Sequence, residues 1–430
     1  MSIEPAVART SENATTAGLG VILVGGVYVD GWAHLNVGSP ETFFTPWHGV
    51  LYGGFSLLVV WLAWMVWRRR RSQNRWVGLV PLGYGWGWVG VALFAAGGVG
   101  DMLWHLAFGI EAGLDALVSP THLLLLTGGT LLLTSPLRAA AATGRDRWPA
   151  VVSMAAATSL AGFFLSYVSV FADPGAREPL RNLPADLPEH RAAELPVIAG
   201  LAGYVVCTVL LIGPVLYLRR RRLLPPGSIA VLAGAVAIPA VSLSHLVFII
   251  PAIAALAGAG LVDLILTIRP NLPDALLASL VPASMWTGQL LGLASSGELR
   301  WPPQLWAGVV VLTALLAATL TWLLAPAEPA VVMSDHGQQA HRRGRKLSSI
   351  KSPQQPVTQA QTGTVHRSTT EWREERYPCH TSRRCWTPTR RILATLTEQS
   401  WLAVSRPASN ARKRVQPVRM PVSARTWSPS

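Results

Sequence analysis

Lysine is nearly missing from this chain: three residues in 430, at positions 346, 351 and 413, so arginine carries the basic character. Charge of either sign is scarce. Only 13% of the residues are charged and 50% are apolar, against roughly 25% charged in an ordinary soluble domain. A water-soluble body is therefore excluded for most of the chain. Cysteine is confined to Cys207, Cys379 and Cys385, without C-x-x-C or C-x-x-C-H spacing, which excludes a disulfide framework and covalent haem attachment. No G-x-x-x-x-G-K-[ST] loop occurs, so Gly25-Gly26, Gly53-Gly54 and Gly97-Gly98 read as close-packing positions between helices. The net charge of +14 resembles a nucleic-acid signal until it is divided. Residues 1–325 hold 18 basic and 16 acidic side chains, while 326–430 hold 18 and 6. No nucleic-acid partner is expected, because the excess belongs to the tail.

Hydrophobic length is what the chain has in abundance. A membrane-spanning helix needs about 20 mostly apolar residues. Segments of that kind run near 17–37, 46–67, 76–100, 117–137, 148–171, 196–218, 226–249, 275–295 and 304–325, with a shorter one at 252–268. Only helices can satisfy their backbone groups within lipid. The expected fold is all-α, a polytopic transmembrane bundle of nine to ten spans over residues 1–325. No small-residue cleavage site follows a basic start, so the first span reads as retained. Arginines cluster at 68–71, 75, 138, 145, 147, 219–222 and 269. They share one side if 252–268 crosses fully, which places both termini in the cytoplasm of a cell-membrane protein. Tryptophans such as Trp61, Trp64, Trp67 and Trp86 flank span ends, as an aromatic belt does. The tail, 326–430, reads as disordered. Its Arg clusters suit contact with anionic lipid headgroups, and an out-of-frame extension explains its composition equally well.

An internal repeat gathers the unusual side chains. Asp30-Gly-Trp-Ala-His34 is followed by Glu41, Thr45-Pro46-Trp47-His48 and Gly53-Gly54. Asp101-Met-Leu-Trp-His105 is followed by Glu111, Ser119-Pro120-Thr121-His122 and Gly128-Gly129. The repeat unit is a helical hairpin, about 17–67 and 76–137. An Asp and a His four residues apart share one helix face. Thr45 and Ser119 fit an N-cap, with Pro46 and Pro120 at the first helical position, so His48 and His122 fall in first turns. Asp30, His34, His48, Asp101, His105 and His122 are therefore expected at one membrane depth on the outer side. Glu41 and Glu111 are candidate proton acceptors, and His245 is a further candidate ligand at that level.

Imidazole and carboxylate together suit zinc, iron, manganese or copper(II), and ionisable groups at membrane depth usually face the bundle interior and serve a function. The same pairs also read as interhelical hydrogen bonds that lock helices together. Asp30, His34 and His48 form D-x3-H-x13-H, which resembles the copper-binding D-x3-H-x12-H of the C subunit of particulate methane and ammonia monooxygenases. That resemblance covers residues 30–48 and implies a copper-type site; the second repeat, with x16, departs further. The chain as a whole resembles multi-pass membrane proteins of actinobacterial type, through Trp-Ala-His and Phe-Phe-Thr-Pro-Trp-His.

Three functions are compatible with these residues. The first is an outward-facing His/Asp metal site holding copper, zinc or iron, as in a membrane metalloenzyme of oxidase or hydrolase type. The second is a metal-ion or proton transporter, which requires polar residues across the bilayer; Asp263, Ser242, Ser244 and scattered Ser and Thr in 153–169 are the few on offer. The third is a structural protein in which Asp–His pairs only hold helices.

Overall fold

A computed structural model of the chain describes residues 6–37, 43–72, 78–109 and 113–324. Expectations for Glu41, Glu111 and the tail lie outside the described residues. Those described form helices without strands: α1 (Thr10–Asn36), α2 (Pro46–Ser72), α3 (Gly85–Phe108), α4 (Leu114–Leu117), α5 (Pro120–Leu133), α6 (Ser135–Thr143), α7 (Arg147–Phe164), α8 (His190–Arg220), α9 (Ser228–Leu243), α10 (Ile249–Ile268), α11 (Asp274–Ser295) and α12 (Pro303–Leu323), with short 3-10 turns after α7. The protein is an all-α multi-pass bundle. Eight stretches are long and apolar enough to cross a membrane: α1, α2, α3, the joined Pro120–Thr143, α8, α10, α11 and α12.

The helices α7 and α9 fall short of that standard, for different reasons. α9 has only 16 residues. α7 is rich in Ala, Ser and Thr and packs against α1, α5, α6, α8 and α9. Its inward positions, Ala150, Val151, Ser153 and Ala155 to Leu160, are buried by protein rather than by lipid, so it does not need the apolar surface that lipid demands. It belongs to both hydrophobic cores. One is built by α1, α2, α3, α5 and α7, and the other by α7 to α12 around Tyr204, Trp286 and Trp301.

Span boundaries differ from the hydropathy pattern where glycine and proline intervene. The third span starts at Gly85, not near 76, because 78–84 is a turn segment with Gly78 and Gly83 at positive φ. Leu82 N–H donates to the carbonyl of Ala6 at 2.7 Å there. α9 ends at Leu243, where His245 and Leu246 take positive φ and separate it from α10.

The two hairpins pack through matching glycines. A Cβ on Gly26 would lie 2.9 Å from Leu51 Cα, and one on Gly54 3.1 Å from Leu23 Cα. In the second hairpin a Cβ on Gly97 would lie 3.0 Å from Leu125 N, and one on Gly128 2.5 Å from Phe94 N. Gly26, Leu51, Leu23 and Gly54 thus correspond to Gly97, Leu125, Phe94 and Gly128. Backbone meets backbone in both, and this sets the separation of the helices that carry the repeated Asp and His residues.

Polar groups at the far end of the hairpins are satisfied by one another. Glu12, buried, is bonded to Arg69 at 2.5 Å and accepts from Arg9 N–H at 2.8 Å. Tyr84 O–H donates to Asn13 at 2.8 Å, and Asn13 in turn donates to Asp146 at 2.8 Å. These bonds tie the start of α1 to the end of α2 and the starts of α3 and α7.

Gly128→Ala is expected to destabilise the protein by about 1–3 kcal/mol, since α3 and α5 cannot separate locally without losing their packing. Gly53→Ala, where an added Cβ meets nothing within 4 Å, is expected to be neutral or stabilising, as alanine is the better helix former. Thermal unfolding of the purified protein in detergent distinguishes them.

Candidate metal site

Local chemistry places each ligand candidate at the same end of its hairpin. Asp30 and His34 lie in the last two turns of α1, and Asp101 and His105 in those of α3. α2 begins at Pro46 and α5 at Pro120. Thr45 Oγ1 accepts from His48 N–H at 3.2 Å, and Ser119 Oγ accepts from His122 N–H at 3.3 Å. These are N-cap bonds, and they hold each histidine at the third helical position, turned toward the preceding helix. All six side chains line one cavity of about 670 Å³.

Asp30 is the centre of the first set. Its Oδ2 lies 3.7 Å from His34 Nδ1, and its Oδ1 lies 3.5 Å from His48 Nε2. The ligand atoms of Asp30, His34 and His48 all lie within 4.8 Å of one another. The tautomers follow from the carbonyls nearby, which only accept. His48 Nδ1 lies 2.6 Å from the carbonyl oxygen of Phe43, and His34 Nδ1 lies 2.9 Å from that of Asp30. Nδ1 therefore carries the proton in both rings, and in the neutral ring the lone pair is on Nε2. Backbone carbonyls that fix imidazole orientation in this way are a common feature of metal-binding histidines.

With the His48 ring neutral, two lone pairs confront each other: Asp30 Oδ1, buried and without a hydrogen-bond partner, faces His48 Nε2. A proton, which makes the contact an ion pair, or a bound cation resolves the confrontation. The 3.5 Å separation of the two atoms is longer than the 2.7–2.9 Å of a charge-assisted hydrogen bond. It is close to the roughly 3.4 Å between two ligands of a tetrahedral ion with bonds near 2.1 Å.

The second set repeats the contacts with a looser geometry. His105 Nε2 lies 3.5 Å from Asp101 Oδ2, and His122 Nδ1 lies 3.5 Å from Asp101 Oδ1. Here the His–His ring centroids are 6.4 Å apart, against 5.4 Å for His34 and His48. Asp101 also accepts from Thr121 Oγ1 at 3.2 Å, and His122 Nδ1 lies 2.7 Å from Ser119 Oγ. The connection between α3 and α5 is longer and includes the extra turn α4, which accounts for the wider spread. Phe43 bridges the sets. Its ring stacks on His48 at 4.6 Å and lies 6.1 Å from His105.

Other candidates lie elsewhere. His245 is exposed in the break between α9 and α10, with its ring 6.3 Å from Trp32, and it does not line the cavity. The positive-φ turn that ends α9 one turn earlier than the hydropathy predicts carries it away. Asp263 has backbone partners. Its carboxylate accepts from Ile229 N–H at 3.4 Å and Ala230 N–H at 2.8 Å, so it caps the start of α9 from α10. His190 lies 2.8 Å from the Leu183 carbonyl and 3.6 Å from Glu194 at the start of α8. Reasoning on local spacing missed Phe43 and Tyr52. Tyr52 is signalled by its place four residues after His48, and Phe43 by its adjacency to the Thr-Pro-Trp-His turn.

Asp263→Ala is expected to destabilise the fold by about 1 kcal/mol through loss of the cap, with Asp263→Asn milder, as read from thermal unfolding. Thr45→Ala is expected to cost a similar amount and, in addition, to weaken retention of any ion held by His48. No family model, no curated protein and no solved structure matches this chain.

Proposed function

We propose that the protein is a membrane metalloprotein in which Asp30, His34 and His48 ligate a divalent transition ion, copper, zinc or iron. Asp101, His105 and His122 supply a second, wider set on the same cavity. The observation that carries this reading is the buried Asp30 Oδ1, without a hydrogen-bond partner, 3.5 Å from His48 Nε2, whose other ring nitrogen is held by a backbone carbonyl. Two imidazoles and one carboxylate fill only part of a coordination sphere, so positions remain for water, dioxygen or substrate. That is the requirement of an oxidase or a hydrolase.

The ion site belongs at the outward end of the bundle. Arg68 to Arg71 close α2 at the end opposite His48, with Arg68 over Trp64 and Arg71 over Trp67 as interfacial cation–π pairs. Arg219 and Arg220 close α8. The arginine bias favours that end as cytoplasmic, with both termini there and the protein in the cell membrane. Transport is less well supported. Between Thr16 and Asp30 the buried face of α1 is Gly20, Leu23, Val24, Gly26 and Val27, with Tyr28 bonded to a backbone carbonyl, which offers an ion no polar path. The lock reading draws on the Asp30–His48 contact itself, which joins α1 to α2.

Elemental analysis of the detergent-purified protein tests the proposal. Wild type is expected to carry close to one transition-metal ion per chain. His34→Ala/His48→Ala is expected to lose it, and His105→Ala/His122→Ala to retain most of it. Ligation requires neutral imidazole, so bound metal is expected to fall as the buffer is acidified. Wild-type protein that is folded and metal-free after incubation with copper, zinc or iron salts would overturn the proposal and leave the structural lock.

A further inference from the structure

The cavity is much larger than an ion requires, and its lining combines two kinds of side chain. Beside the six His and Asp side chains stand Leu51 of α2, Phe94 of α3, Leu125 of α5, Leu160 and Phe164 of α7, and Leu243 of α9. At about 670 Å³ it falls inside the roughly 300–1,000 Å³ of pockets that enclose a drug-sized ligand. An apolar lining with a few convergent polar groups is the usual composition of such sites. The shape is also maintained by a specific glycine. A Cβ on Gly31 would lie 2.3 Å from the Phe163 ring, so a larger residue there would push that ring aside.

The charge of the lining selects the ligand's head. No arginine or lysine lines the cavity among the described residues, whereas Asp30 and Asp101 both do. A divalent ion would offset the two carboxylates and leave no net attraction for an anionic head. A neutral oxygen, by contrast, can complete the ion's coordination sphere. The rim is apolar or amphipathic, with Leu35, Leu114 and Tyr167 all at least half exposed. Such a rim on a membrane-spanning bundle suits entry from the bilayer rather than from water.

We infer that the cavity binds a neutral, single-chain lipid-soluble molecule with one oxygen-bearing head, of the long-chain alcohol, aldehyde or ketone class. The head points at the Asp30–His34–His48 set and the hydrocarbon lies against α5, α7 and α9. The contact of the head with a bound ion rests on the proposed function; the apolar seat does not.

The test uses the full chain in nanodiscs, loaded with zinc, and exposed in separate arms to 1-dodecanol and to dodecanoate, with native mass spectrometry counting what stays bound. Dodecanol is expected to be retained at one per chain, and dodecanoate about tenfold less, because the two acids already offset the ion and the anionic head would leave water uncompensated. Ala172→Phe and Ser166→Phe add bulk at two small, partly exposed lining positions. Each is expected to lower dodecanol occupancy about tenfold while zinc content stays at the wild-type level. Undiminished dodecanol in both filled variants overturns the cavity as its seat, and preferential retention of dodecanoate overturns the neutral head. Absence of zinc in the wild type, read in the same spectra, overturns the metal site alone, since dodecanol lost on filling would still support the apolar seat.

Discussion

A carboxylate held at membrane depth has to be compensated, and Asp30 shows how the N-terminal part of this protein is arranged around that demand. Removing a charge from water without a partner is costly enough that such a group normally neutralises or finds a counter-ion. Here the neighbours are two histidines whose Nδ1 nitrogens are already committed to backbone carbonyls. Neither ring can satisfy Asp30 as a simple neutral donor through Nε2. The remaining ways to satisfy the group are a proton shared as an ion pair or a bound cation. The rest of the local architecture, from the proline-started helices to the stacked Phe43 ring, keeps these atoms in place whichever it is.

The helix packing beneath the site serves the same end. Matching glycines bring backbone against backbone in each hairpin, and small residues at helix crossings allow the close approach on which packing inside a membrane depends. Close approach fixes distance. A wider α1–α2 crossing would separate Asp30 from His48 beyond either an ion pair or a shared ion. The polar network at the far end, from Glu12 and Arg69 to Tyr84 and Asp146, holds the other extremity of the same helices. Between these anchored ends the helix interior is apolar.

Much of this was legible before any coordinates. The i,i+4 pairing of Asp30 with His34 and of Asp101 with His105 is a property of helical spacing. Thr-Pro and Ser-Pro announced where α2 and α5 begin, and hence where His48 and His122 sit. Helix ends set by turn chemistry were harder to read. The span expected from residue 76 begins at Gly85 because glycines at positive φ precede it, and α9 stops short of His245 for a related reason. The apolar lining was not legible at all, since no local pattern connects Leu160 or Leu243 with Asp30. Their meeting depends on α7 passing between the two cores, which is a tertiary fact. Nor does hydropathy tell that the inward face of α7, expected as a span at 148–171, is buried by protein.

That position of α7 bears on how the protein is made. A segment of Ala, Ser and Thr opened by arginine has little tendency to leave the translocation machinery for lipid by itself. Its inward face fits against α1 and α5, which the ribosome has delivered earlier, and against α8 and α9, which come later. Integration of α7 is therefore expected to draw on its neighbours as well as on lipid, since the helices that bury its inward face lie on both sides of it in the chain.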